Sequence, residues 1–161
     1  MKIQANMMIK ARVMVGLFLF VLGACSSGQK APAENAKPTV EVRLADRESR
    51  DGFTAMTDAG TGETISVSPE ITLSNNDIMS AQAIADSEGG PAVEAVLNLL
   101  GTQKFAIFTS NHIGEMAAVI VNGQVVSAPV IRAPIMKGRV IISGKFTQGE
   151  AEGLARSLGG D

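Results

Sequence analysis

The period of hydrophobic and polar positions changes several times along this chain, and its clearest signal lies at residues 116–131, MAAVIVNGQVVSAPVI. Residues 116–121 are apolar at every position, the pattern of a strand covered on both faces. Asn122-Gly123 follows, and both residue types tolerate positive φ. That dipeptide favours the type I′ turn whose twist matches two antiparallel strands. A second strand follows the turn, residues 139–143 read as a third, and Thr147 opens a helix. Thr147 and Glu150 have the spacing of a capping box, in which hydroxyl and carboxylate each take an orphan amide. Ala151, Leu154, Ala155 and Leu158 then recur at i, i+3, i+4 and i+7 as one apolar stripe, and Gly159 ends it. Gly149 and Gly153 weaken this helix in isolation, so packing on a sheet must hold it.

Upstream, Val40, Val42 and Leu44 alternate with Glu41 and Arg43, which predicts a half-buried strand at 39–44. Residues 53–57 and 64–67 form a hairpin around 58–62, with a long loop as the alternative. Ser74, Asn75 or Asn76 caps a short helical turn that carries Asp77 near its positive end. Strands at 82–86 and 92–97 are joined by residues 87–91. From Gly101 the period becomes helical: Phe105 and Phe108 share one face with Leu100 or Gly101, and Asn111 and Gly114 suit its end. Strands outnumber helices and the hairpins imply antiparallel pairing. The predicted fold class is α+β, a mainly antiparallel sheet with two helices packed on one face.

The N-terminus reads as an address. Lys2, Lys10 and Arg12 precede an uninterrupted apolar run at 13–22, the charged and hydrophobic regions of a secretory signal. That run is shorter than the roughly 20 apolar residues of a spanning helix. Leu22-Gly23-Ala24-Cys25 resembles the lipobox of bacterial lipoproteins, in which the Cys is lipidated and becomes the first residue of the cut chain. The alternative is an ordinary signal peptide cut after Ala24. Residues 26–38, SSGQKAPAENAKP, are polar, proline-bearing and aperiodic, as in a linker. The expected organisation is a lipoprotein signal at 1–24, lipidated Cys25 with a flexible linker at 25–38, and one domain at 39–161. By the same resemblance Ser26, rather than Asp, after the Cys favours the outer membrane where the cell has one. No second apolar segment follows, so no transmembrane helix is expected in the mature chain.

Composition narrows the chemistry. The formal charge is −2, but all three bases of the first segment lie where there is no acid, so the remainder is more acidic. With six Phe and no Trp or Tyr, stacking platforms for bases lack their material, and an acidic body disfavours nucleic acid. Cys25 is the only cysteine and His112 the only histidine, which disfavours a His-based metal site and leaves serine nucleophiles one imidazole base among all of them. The carboxylate pairs Asp46/Glu48 and Asp86/Glu88 sit in polar loops. No catalytic residue, metal or other cofactor is expected, and the glycines at 60, 62, 89 and 90 are turn residues without a phosphate-loop context.

Thr109, Gly114, Ala118, Asn122-Gly123, Ala128-Pro129, Ile131, Ile135, Gly138, Ile142, Gly144 and the Phe-Thr-led helix with Glu150-Ala151 and Leu154-Ala155 form a recognisable order. Together with residues 71–81, ITLSNNDIMSA, this order and spacing resembles the head subdomain of the large periplasmic loop of SecD, the accessory subunit of the bacterial protein translocase. The resemblance covers about two thirds of the chain. The family usually has Asp where this chain has Asn122, and its head is followed by membrane helices that harvest the proton gradient, for which no segment is present here. The resemblance implies the fold and a tendency to bind extended polypeptide or another envelope protein. From the residues themselves, Pro129 and Pro134 inside a strand pattern belong at an edge or bend. Residues 125–135, with Val125, Val126, Ala128, Pro129, Val130 and Ile131 as candidate contacts, are therefore the candidate partner-binding edge, able to accept an added strand. A strand bent to fit its own sheet is the alternative.

Overall fold

The computed structural model describes residues 37–159, so the expected signal segment at 1–24, Cys25 and most of the expected linker lie outside the described residues. Strand β1 (Val40–Asp46) opens the domain, followed by β2 (Thr54–Thr57), β3 (Thr64–Val67) and the short β4 (Leu73–Ser74). A 3₁₀ turn at Asn75–Asp77 leads into β5 (Ile78–Ala85) and β6 (Pro91–Leu97). Helix α1 (Leu99–Asn111), β7 (Met116–Val121), β8 (Gln124–Ser127), β9 (Arg139–Ser143) and α2 (Gln148–Ser157) complete it. This is the α+β class expected from the pattern, with every strand pairing antiparallel.

The strands form two sheets. In the first, the order is β2-β3-β1-β7-β8 with β4 also on β1, and Val42 stands opposite Val119. This sheet curls until its ends meet: the Ala59 amide donates to the Val125 carbonyl at 2.9 Å, and Asp58 bridges Val125. The curl accounts for the uniformly apolar run in β7. Ala118 and Ile120 join Ala45, Ile65, Val67 and Val125 in one core, while Ala117 and Val119 on the alternate face join the cores shared with the rest of the domain. Asn122 and Gly123 have φ of 51° and 80°, the two positive values that a type I′ turn needs.

The second sheet, β5-β6-β9, turns Val93, Ala95, Leu97 and Ile142 inward. Both helices pack against that inner side. Ala151, Leu154 and Ala155 of α2 cluster with Ala81, Val93 and Ala95, while Phe105 and Phe108 of α1 cluster with Leu97 and Val140. The capping box of α2 is formed as its sequence predicts, with the Thr147 amide donating to Glu150 at 2.8 Å. Helix α1 starts two residues before the expected position because Asn98 caps it, accepting from the Gly101 amide at 2.8 Å. Of the two candidates to lie behind the phenylalanines it is Gly101 that is buried, and Leu100 is exposed.

Several strand boundaries differ from expectation, β1 running on to Asp46 where the alternation predicted an end at residue 44. Strand β5 begins at Ile78, directly after the 3₁₀ turn, and not at residue 82. Asp86 leaves the strand, because its carboxylate accepts from the Glu88 and Gly90 amides at 2.9 and 2.8 Å and so organises the turn. The stretch at 125–135 is not one strand either. The β8 ladder ends at Ser127 after a register shift, and the chain then rejoins β7 through single bonds. The Pro129 carbonyl accepts from Ala117 at 3.0 Å and the Ile131 amide donates to Glu115 at 2.8 Å. Pro129 is needed there only as an acceptor, so its missing N–H costs nothing.

Candidate polypeptide-binding groove

Past Ile131 the chain crosses α1 and returns as β9, and a groove of about 480 Å³ lies along this path. Pro129, Val130, Ile131 and Ile135 line one part of it, Val140 and Ile141 another, with Phe105 also among its lining. The crossing loop is latched to the helix. Thr109, fully buried, donates its hydroxyl to the Phe105 carbonyl at 2.8 Å and accepts the Ile135 amide at 2.9 Å. Gly138 closes the loop at φ 62° against Thr102, a conformation and a contact that leave no place for a Cβ.

Backbone bookkeeping shows what borders the groove. The Leu97 amide donates to the Gly138 carbonyl at 2.7 Å, with the register placing Val140 opposite Ala95 and Ile142 opposite Val93. In the antiparallel alternation Val140 and Ile142 therefore spend their backbone groups on β6, and Arg139 and Ile141 turn theirs away from it. β9 ends its sheet, and among the described residues no backbone partner meets it on that side. Val130 is in the same position on the other sheet: its neighbours bond to β7, and its own N–H and C=O face away. An apolar groove flanked by unpaired strand backbone has what an extended chain needs, side-chain pockets and main-chain partners together.

The six residues expected at the edge separate in the structure. Pro129, Val130 and Ile131 line the groove, with Ile131 only 6% exposed. Val125 is fully buried, and its carbonyl is taken by Ala59 where the first sheet closes on itself. Val126 packs against the α2 core, and Ala128 packs against the core inside the curl, as does Val130. Arg139, Val140 and Ile141 bring β9 into the groove, and sequence reasoning, which chose 125–135, did not select them. Ile141 is 54% exposed within a strand, a signal visible only once its neighbours are known to be buried.

Other chemistry-bearing groups have structural duties. His112 caps the end of α1, with Nδ1 2.8 Å from the Phe108 carbonyl and its ring 4.8 Å from that of Phe108. Burial acts to raise the Asp77 carboxyl. The Lys104 ammonium at 2.8 Å and the Ser74 amide at 3.0 Å outweigh it and hold the group below its ordinary value. Asp77 is thus an ionised cap for the 3₁₀ turn rather than an acid or base in waiting. A larger and more polar hollow of about 670 Å³ lies over Gln82, Glu94, Arg139 and Arg156. There hydrogen bonds from Arg139 first and Gln82 second lower the Glu94 pKa, so its charges are already matched. Among the described residues no group of three His, Cys, Asp or Glu side chains could hold a metal ion, and no helix is long and apolar enough to cross a membrane.

Comparison with known proteins places this architecture. The family model of the SecDF P1 head subdomain matches residues 53–160. The protein translocase subunit SecD of Rhodobacter capsulatus is 40% identical over 86 residues, which cover 53% of this chain and 16% of that protein. SecD of Aquifex aeolicus is 34% identical over 133 residues, 83% of this chain and 24% of the relative. The chain thus spans a small part of the length of these curated relatives. Among solved structures, that of SecDF, described as a membrane component that enhances protein export, matches with a TM-score of 0.59 and 25% identity. That match covers 74% of this chain and 61% of the other. With its two sheets, its two helices and a family match extending over most of its length, the chain belongs to the SecDF P1 head subdomain family.

Proposed function

We propose that this chain is a non-enzymatic, lipid-anchored envelope protein whose head domain binds extended polypeptide in support of protein export. The observation that carries the reading is the apolar groove bordered by the unpaired backbone of β9 and Val130, in a family whose named members are translocase subunits. In this reading residues 1–24 are a lipoprotein signal, Cys25 carries the lipid, residues 25–38 tether, and the domain at 39–161 faces the periplasm. The outer membrane is the favoured site where the cell has one. A lipid anchor on two or more chains suffices to hold a domain at a membrane without a spanning helix.

A photoreactive residue at Ile141 in the otherwise whole protein tests the binding role in living cells. Adducts with diverse unfolded secretory chains support it. One stoichiometric envelope partner instead identifies a structural lipoprotein that packs against a single complex, and absence of protein adducts refutes both. A folded Val130→Asp variant is expected to lose capture of an extended peptide, and undiminished capture counts against the groove. Cys25→Ser is expected to abolish lipid labelling, and labelling that persists removes the anchor from the proposal.

A further inference from the structure

The charges around the groove specify its occupant more closely than its apolar lining does. From Cys25 onward the chain has sixteen acids against eleven bases. Between Met116 and Gly149, however, it has Arg132, Lys137, Arg139 and Lys145 and not one Asp or Glu. Among the described residues, the only charged ones that line the groove are Arg132 and Arg139. Arg132 is exposed, and among the described residues it has no ion pair or side-chain hydrogen bond. Arg139 offers one nitrogen to Glu94 at 2.9 Å and remains 62% exposed, so the rest of its guanidinium is open. Among the described residues Arg132 is unpaired and Glu94 offsets Arg139 from one side only, so a local excess of positive charge on an acidic body selects by sign.

We infer that the occupant is an extended polypeptide segment that adds to β9 as a strand, alternates apolar side chains, and bears an acidic side chain beside Arg132 and Arg139. This rests on the reading of the groove as a polypeptide site and adds the chemistry of what it accepts. The length of β9 limits the paired segment to about five residues. Main-chain bonds to Arg139 and Ile141 set its register, apolar side chains enter toward Val140 and Phe105, and a carboxylate meets the Arg132 guanidinium and the open side of Arg139. A lysine at that position would face two cations and no carboxylate in the groove lining, so the site discriminates by repulsion as well as attraction.

The test uses the full chain and short fluorescent peptides with alternating Val and Ile that differ only at one central position, Glu, Gln or Lys. A fourth peptide keeps the Glu but is N-methylated at alternate amides. The Glu peptide is expected to bind roughly two- to fivefold more tightly than the Gln peptide at low salt, with Lys weakest. That preference should collapse in Arg132→Gln and in Arg132→Gln/Arg139→Gln, both at exposed side chains, and should fade as salt rises. N-methylation should abolish binding. Equal affinity for Glu, Gln and Lys peptides overturns the charge selection while leaving the groove a polypeptide site. Unimpaired binding of the N-methylated peptide overturns strand addition. Failure of every peptide to bind the folded chain overturns the polypeptide reading itself.

Discussion

Replacing Thr109 by valine removes a hydroxyl while keeping the side-chain shape at a position with no solvent exposure. The hydroxyl's donor bond, shared between the Phe105 carbonyl at 2.8 Å and the Ala106 carbonyl at 3.3 Å, goes with it, as does the bond from the Ile135 amide at 2.9 Å. Both carbonyls also belong to the α1 ladder, so the amide is the real loss. Ile135 is about one-third exposed, and its freed N–H can reach water. The cost is then close to one net hydrogen bond, about 1 kcal/mol, and not the full penalty of a buried orphan. For a domain of this size that is a fall in Tm of about 4 °C. Thr109→Ser keeps both bonds but deletes a buried methyl, a loss of about 1 kcal/mol as well. Melting alone therefore cannot distinguish the two variants, whereas amide exchange can. The Ile135 amide is expected to exchange fast in Thr109→Val and slowly in Thr109→Ser, with the β7 amides protected in both. Equal protection at Ile135 in the two variants would show that the loop is held by something other than this latch.

Other substitutions separate local from tertiary effects. Gly101→Ala, which would ordinarily stabilise a helix by about 1 kcal/mol, is expected to destabilise. Its Cβ would stand 2.6 Å from the Asp77 carbonyl oxygen and 2.8 Å from Asp77 Cβ, and a raised Tm would contradict that contact. Asn122→Ala is expected to cost roughly 1–2 kcal/mol by chemical denaturation, because alanine lacks the short polar side chain that lets asparagine tolerate φ 51° and because the acceptor for the Thr39 amide is lost. Asn122→Gly should lose less, and the reverse order would be evidence against the turn geometry. Asp77 is ordinarily protonated below about 3.8, and its folded value is lower. Its stabilising contribution is therefore present above that pH and lost as pH falls through the folded value. The stability gap between wild type and Asp77→Asn should narrow on acidification, and a gap that widens would reverse the assigned sign.

Elements whose determinants lie within a few residues were legible in the chain. The Asn122-Gly123 turn needs only two residues that accept positive φ, and the cap and stripe of α2 lie within twelve positions. The two-faced burial of β7 was also readable, although not its cause, which is the closure of the first sheet through Ala59 and Val125. That same closure removed Val125 from the proposed edge, and nothing in residues 58–62 announces a partner more than sixty positions away. Open edges are a property of strand order. Arg139 and Ile141 look like ordinary strand residues until β9 is seen to end its sheet. Gly101 presents itself as a weak helix residue, and only its contact with Asp77 gives it a reason.

The groove's geometry also limits how tightly it can hold a chain. A strand added to β9 gains main-chain bonds from Arg139 and Ile141, each contributing about 0.5–1.5 kcal/mol net. Ordering the incoming backbone costs roughly 1–2 kcal/mol per residue, so those bonds cannot offset the immobilisation of five residues. The remainder must come from apolar side chains entering the groove and from Arg132 and Arg139, the last two being exposed and therefore weak. Affinity is then additive over several small terms, none of which dominates. Binding of this kind is reversible and tolerant of sequence, and it discriminates mainly by pattern and charge. A short edge flanked by Arg139 and by the Pro134 loop is also poorly suited to permanent pairing, since charge and proline are the usual guards against edge-to-edge association. Loose and reversible capture fits the proposed role in binding extended chains, and a single high-affinity partner on this surface would need contacts beyond β9 and its groove.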